Sequence, residues 1–191
     1  MGNLVMTTGT LFGPVLNMHD IAISLLKEGF DTPYIAARRN FENPDVVSID
    51  FYQKGEHITL GNVRGIYVIF RRLDNVLECL YVGYTMNNTR QRVYRYFKEL
   101  EGKSRCDEGH AGAFIAKTRY GVKSADNHYI KVIPWIDIYK TYRKHGCFIP
   151  DESDHLDEHI AYLLKSKCNI TKRTNETAAP CQEVVIPDDM V

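Results

Sequence analysis

Apolar residues recur at helical spacing near both ends of the chain and alternate through its middle. Within residues 17–28, Ile21, Ile23, Leu25 and Leu26 stand among polar neighbours, and Gly29 follows where a helix would stop. That pattern predicts a first helix. Thr32-Pro33 then supplies a capping residue and a proline ahead of Tyr34-Ile35-Ala36-Ala37-Arg38-Arg39, predicting a second helix across a short glycine-containing turn. Two helices joined in this way resemble a helix-turn-helix that would offer Arg38 and Arg39 to phosphate; the plainer reading is that they pack on the main domain. Residues 45–52 and 57–60, punctuated by Pro44 and Gly55, predict a small hairpin.

The β signal strengthens at Gly65. Residues 65–70 and 77–83 are rich in β-branched and aromatic side chains, and Asp74-Asn75 lies between them as a turn, so an antiparallel hairpin is expected. Asn87-Asn88-Thr89 caps a helix running to about residue 100, with Val93, Phe97 and Leu100 on one face and Arg90, Arg92, Arg95 and Lys98 on the other flank. A loop over 102–109 leads to a short helix over 112–120 that ends at Gly121. Residues 129–138 alternate as a third strand, where Pro134 favours an edge or a bulge. Leu156, Ile160, Leu163 and Leu164 place a core-packed helix over 154–167. The expected class is α+β: a small three-stranded, mainly antiparallel sheet flanked by helices. Residues 1–63 would form an N-terminal helical and hairpin extension, 64–176 the main domain with a helical insertion at about 101–127, and 177–191 an acidic tail.

Charge modifies this picture. The formal net charge is zero, yet residues 1–63 carry −3, residues 64–147 carry +8 and residues 148–191 carry −5. A basic middle suits a polyanion, and the acidic final third offers carboxylates for a metal. Five scattered cysteines do not form a disulfide framework, and no apolar run is long enough for a membrane span, so a reduced, cytoplasmic protein without membrane partners is expected.

The chemistry gathers around two tripeptides on the predicted hairpin, Gly65-Ile66-Tyr67 and Tyr81-Val82-Gly83. A suitable register would project both phenols from one sheet face. A phenol with its ordinary pKa near 10 is a poor base unless a cation, metal or second phenol lowers that value. Gly83 would permit close approach of backbone or substrate. Arg92 and Tyr96 share a helix face at i, i+4, and Glu158 lies on the final helix. Taken singly, each has a bland reading: strand tyrosines with wet hydroxyls, a solvated basic face, a surface glutamate.

Together, and in this order, they resemble the GIY-YIG endonuclease family over about residues 64–175, with a layout closest to its type II restriction enzymes. The resemblance implies hydrolysis of double-stranded DNA with one divalent metal per site, Mg2+ with Mn2+ as a substitute. It implies Tyr67 as acceptor of the water proton, Tyr81 as its hydrogen-bond partner, Arg92 on the scissile phosphate and Tyr96 at a position filled by Tyr or His. Glu158 would bind the metal, and Asn169 (or the less well spaced Asn175) would fill the asparagine position. Arg90, Arg95, Lys98, Lys117 and Arg119 would grip flanking DNA, and a homo-oligomer would serve double-strand cleavage. A phage or mobile-element nuclease is the alternative role, and a noncatalytic DNA-binding module the alternative class.

Three features depart from the family pattern. The thirteen residues between Tyr67 and Tyr81 are two or three more than usual. Tyr84 stands where a lysine is frequent, leaving Arg71, Arg72 or Lys117 to replace that contact, and the proline before the asparagine is missing. Two zinc arrangements compete weakly: His155-Leu156-Asp157-Glu158-His159 matches the H-x-x-E-H pattern of inverted zinc peptidases, and Cys106, His110, His145 and Cys147 would link two loops.

Overall fold

A computed structural model describes residues 18–30, 32–42, 48–74, 76–101, 110–147 and 155–169. The loop at 102–109, Asn75, Cys106, Asn175 and the tail lie outside these residues. The element order is α1 (Met18–Phe30), β1 (Ile35–Asn40), β2 (Ser48–Gln53), β3 (Glu56–Ile58), β4 (Gly65–Leu73), β5 (Val76–Thr85), α2 (Thr89–Leu100), α3 (Ala111–Tyr120), β6 (His128–Pro134), α4 (Trp135–Lys144) and α5 (Leu156–Leu163).

The α+β class agrees with expectation, but the sheet is larger than three strands. Six strands lie in the order β3-β2-β1-β6-β4-β5, and every neighbouring pair is antiparallel. Helices cover both faces. Val93, Tyr96, Phe97 and Leu100 of α2 and Ala113, Ile115 and Ala116 of α3 pack with Tyr67 and Ile69 on one side. On the other, α1, α4 and α5 contribute Ile21, Leu25, Ile138, Tyr142, Leu156 and Ile160 against Ile66, Val68 and Phe70.

The extra strands come from the segment whose local preference was misleading. Residues 32–39 were expected to be helical and to complete a helix-turn-helix; instead β1 is a strand. Pro33 biases Thr32 away from the α region, so the cap-and-proline signal starts an extended segment. β1 then pairs along its whole length with β2 and fills the free side of β6 through Ile35–Ile130, Ala36–Tyr129 and Ala37–His128. Those long-range hydrogen bonds override the weak helix propensity of the alanines. The expected hairpin exists as β2–β3 and extends the same sheet.

A second correction concerns Pro134. β6 is an interior strand between β1 and β4, so Pro134 marks neither an edge nor a bulge; it ends the strand and caps α4 with φ −63° and ψ 148°. The alternation Trp135-Ile136-Asp137-Ile138 imitates a continuing strand, yet Ile138, Thr141 and Tyr142 are the buried residues, the spacing of a helix face. The final helix is also shorter than expected, ending at Leu163.

Gly65 joins β4 to its neighbour with no room for a side chain. A Cβ there would lie 2.2 Å from the Ile133 carbonyl oxygen, and φ is +155°.

Candidate active site

β4 and β5 pair in one register from Leu73–Val76 to Phe70–Cys79, then in another from Ile69–Tyr81 to Gly65–Thr85. Leu80 is the extra residue of a bulge. Side chains alternate along a strand, so if Leu80 were paired with Ile69 in an unbroken register, Tyr81 would oppose Val68 and face α1 and α5. Because Leu80 has no partner, Tyr81 opposes Ile69 and shares the sheet face of Tyr67.

The two phenol rings sit 6.1 Å apart between centroids, tilted by 41°. Gly83, directly opposite Tyr67, leaves the gap that Tyr67 fills: a Cβ at Gly83 would come within 2.5 Å of the Tyr67 hydroxyl and 2.7 Å of the Tyr81 ring. Gly112, in the first turn of α3, does the same for Tyr81, where a Cβ would fall 2.2 Å from the ring. The close approach at Gly83 therefore serves a tyrosine of the protein itself.

His110 closes the cluster. Standing at the N-cap of α3, it brings Nε2 to 3.1 Å from the Tyr67 hydroxyl, and its ring meets those of Tyr81 (4.8 Å) and Tyr96 (5.2 Å) nearly at right angles. Tyr67 is 2% exposed and His110 6%, whereas Tyr81 is half-buried. Burial pushes the phenols of Tyr67, Tyr81 and Tyr96 above their ordinary range, and pushes the His110 imidazole down to about 4. Arg92 opposes the rise for Tyr67 and Tyr81 and, with Arg95, depresses His110 further.

Of the residues singled out in the sequence, Tyr67, Tyr81, Arg92 and Tyr96 are brought to one place. Arg92 is exposed on α2, and Asn88 caps that helix by accepting from Gln91 N at 2.9 Å. Tyr96 is fully buried and packs against Phe97 and His128 as well, so it forms a wall of the cluster. On α5 the carboxylate whose charge reaches both phenols is Asp157, which raises each of them; burial and the Glu158 charge hold the Asp157 carboxyl above its usual range. Glu158, one residue on, is half-exposed and lies 3.4 Å from His155 Nδ1. Two adjacent carboxylates at the start of α5 are hard oxygen donors suited to Mg2+ completed by water and phosphate oxygens. Among the described residues no group of three or more His, Cys, Asp and Glu side chains converges as a metal cage.

Asn169 works on the backbone. Its Oδ1 accepts from Val82 N at 2.8 Å and its Nδ2 donates to Val82 O at 2.7 Å. Lys167 N and Cys168 N donate to the carbonyls of Cys79 and Leu80, and Ser166 Oγ donates to Leu80 O. Residues 166–169 thus strap the outer side of β5 and hold the bulge that sets Tyr81.

The cationic positions divide. Arg90, Lys98 and Arg119 are exposed, and Arg95 and Lys117 half-buried, on the two helices that cover the tyrosine face. Arg71 pairs with Glu78 at 3.0 Å, and Arg72 Nε donates to Asp74 O, both toward the far end of the hairpin. Beside Tyr84 the cation is Arg64, whose Nε donates to the Tyr84 hydroxyl at 3.3 Å while its guanidinium lies 4.2 Å over the Trp135 ring. Of the four-residue zinc arrangement, Cys106 lies outside the described residues; His110 Nε2 meets the Tyr67 hydroxyl and His145 Nε2 meets Ser24 Oγ at 3.0 Å.

His110, Gly112, Arg64 and Asp157 were not assigned to this site from sequence. Only Asp157 had a signal, adjacency to Glu158; the others follow from packing between distant segments. No protein-family model, curated protein or solved structure matches the chain.

Proposed function

We propose that this protein is a Mg2+-dependent endonuclease acting on double-stranded DNA. The observation that carries the reading is the convergence of four elements on one pair of phenols: Tyr67 and Tyr81 come from β4 and β5 with rings 6.1 Å apart, and the charges of Arg92 from α2 and Asp157 from α5 both act on them. Hydrolysis of a phosphodiester needs a proton acceptor for water, positive charge on the nonbridging oxygens, and a Lewis acid near the leaving oxygen. One of the paired phenols takes the proton. Arg92 binds the scissile phosphate through its planar fork of donors. Glu158, with Asp157 beside it, holds the metal, which supplies Lewis-acid stabilisation when bound. Tyr96 and Asn169 support the phenols through packing and the β5 strap.

Arg90, Arg95, Lys98, Lys117 and Arg119 line the helices on the same sheet face and bind DNA backbone. With one site cutting one strand, a homo-oligomer delivers the double-strand break, in a restriction role; a phage or mobile-element role would use the same chemistry.

The test is cleavage of supercoiled plasmid and of mixed-sequence linear DNA with Mg2+, Mn2+ or EDTA, comparing wild type with Glu158→Ala and Arg92→Ala. Metal-dependent nicking lost in both variants is expected. DNA binding without cleavage in any metal would instead identify a binding module, and wild-type cleavage by Glu158→Ala would remove Glu158 from the metal.

A further inference from the structure

Tyr67 sits between His110 Nε2, 3.1 Å from its hydroxyl on the inside, and the Tyr81 ring, 6.1 Å away between centroids toward solvent. A hydroxyl carries one proton, so the chain of three groups runs in one direction or the other. Its direction determines which oxygen is left to accept a proton.

His110 Nδ1 is buried and has no hydrogen-bond partner among the described residues. A neutral imidazole holds one N–H. Placed on Nδ1, it would be a stranded buried donor; placed on Nε2, it meets the Tyr67 oxygen at 3.1 Å and leaves only a lone pair unmatched, the lesser cost. Tyr67, receiving from His110, keeps its own proton to donate outward, where the Tyr81 ring stands 6.1 Å away between centroids and both side chains close on the same point at Gly83. Other charged or titratable groups that act on the pair are Arg92 and Asp157, with Cys168 on Tyr81 and Arg95 on His110, and Tyr96 packs against both His110 and Tyr81.

We infer that His110 is a positioning residue that points a hydrogen-bond chain outward through Tyr67, making the half-exposed Tyr81, rather than the buried Tyr67, the oxygen that accepts a proton at this site. The assignment of that proton to the attacking water rests on the nuclease reading. Tyr81 first releases its phenol proton to solvent; the phenolate, facing the Tyr67 hydroxyl and Arg92, then takes a proton from water. The hydroxide so formed attacks phosphorus as the bond from phosphorus to the leaving oxygen breaks, and the leaving alkoxide takes a proton from solvent. Charge and protons balance, and His110 stays neutral throughout.

The experiment places 3,5-difluorotyrosine, which ionises in a more accessible pH range, at position 81 or position 67 of the full chain. Ionisation is followed by 19F NMR, and the His110 tautomer by its 15N shifts. The position-81 phenol is expected to ionise at the lower pH, with the His110 proton on Nε2. His110→Phe should raise the position-81 midpoint by about one pH unit, a roughly tenfold loss of phenolate at a given pH. His110→Gln, which retains a side-chain N–H donor, should restore most of it. In DNA cleavage with Mg2+, the acid limb of kcat should move by the same amount in His110→Phe while KM stays constant. A proton on Nδ1, a lower midpoint at position 67, or an unmoved midpoint at position 81 in His110→Phe overturns the inference. If these titrations behave as expected and the wild type cleaves no DNA, the chain direction stands and the nuclease reading falls.

Discussion

Tyr81 stands directly opposite Ile69, and Leu80 before it is an additional residue in β5 with no partner of its own across the hairpin. That bulged leucine is itself 0% exposed. Leu80→Ala keeps the residue count while emptying part of the core. It is expected to cost about 2–5 kcal/mol in urea unfolding. Deleting Leu80 removes the bulge but places Tyr81 directly after Cys79, still opposite Ile69, so plasmid nicking should persist under conditions where the deletion variant is folded.

Gly83→Ala should injure the site more than the fold. The added methyl would meet the end of the Tyr67 side chain at 2.5 Å and the Tyr81 ring at 2.7 Å, so both rings must shift. A misplacement on the order of 1 Å is enough for about a hundredfold loss of kcat. Plasmid nicking rates compared with binding of the same DNA by anisotropy check this: retained binding with slow nicking is expected, and unchanged kcat would show that the rings need not hold these positions.

Asn169→Leu removes both side-chain bonds to the Val82 backbone and should destabilise the protein by about 1–3 kcal/mol. Tyr81→Phe, by contrast, should abolish cleavage with little change in stability. Denaturant midpoints measured beside nicking rates separate a strap from a chemical group.

Acid should weaken the fold through two buried histidines. His110 and His128 both have imidazoles pushed down to about 4, each principally by burial, from an ordinary value of 6.5. The unfolded chain therefore binds more protons than the native protein between those values. The stabilisation is fully present above about pH 6.5 and is lost as pH falls toward 4, at about 1.4 kcal/mol per pH unit for each histidine. Urea midpoints between pH 7 and pH 4.5 measure the slope, and His110→Phe or His128→Phe should flatten it.

The parts of this fold that were legible from sequence are those whose residues make their own local argument. The hairpin of β4 and β5, the capped and amphipathic α2, α3 ending at Gly121 in a left-handed conformation, and the Leu156–Ile160 face of α5 all appear where their patterns put them. β1 was hidden because Ala36-Ala37 has helix preference and its strand exists only by pairing with β2 and β6. In the same way the tyrosine and arginine positions were visible as spacing, whereas His110 belongs to the cluster only through the packing of α3 on β4 and β5. Tyr67 belongs to the same cluster, but its depth, and hence the prominence of Tyr81, depends on the distant glycine at position 112 and on α2.

The strap of residues 166–169 has a further consequence for assembly. β5 ends the sheet on one side, and its carbonyls at Cys79, Leu80 and Val82 are already occupied by Lys167, Cys168 and Asn169. At the other side β3 offers only three residues. Among the described residues neither border invites a neighbouring molecule to continue the sheet, so edge-to-edge β-aggregation is disfavoured.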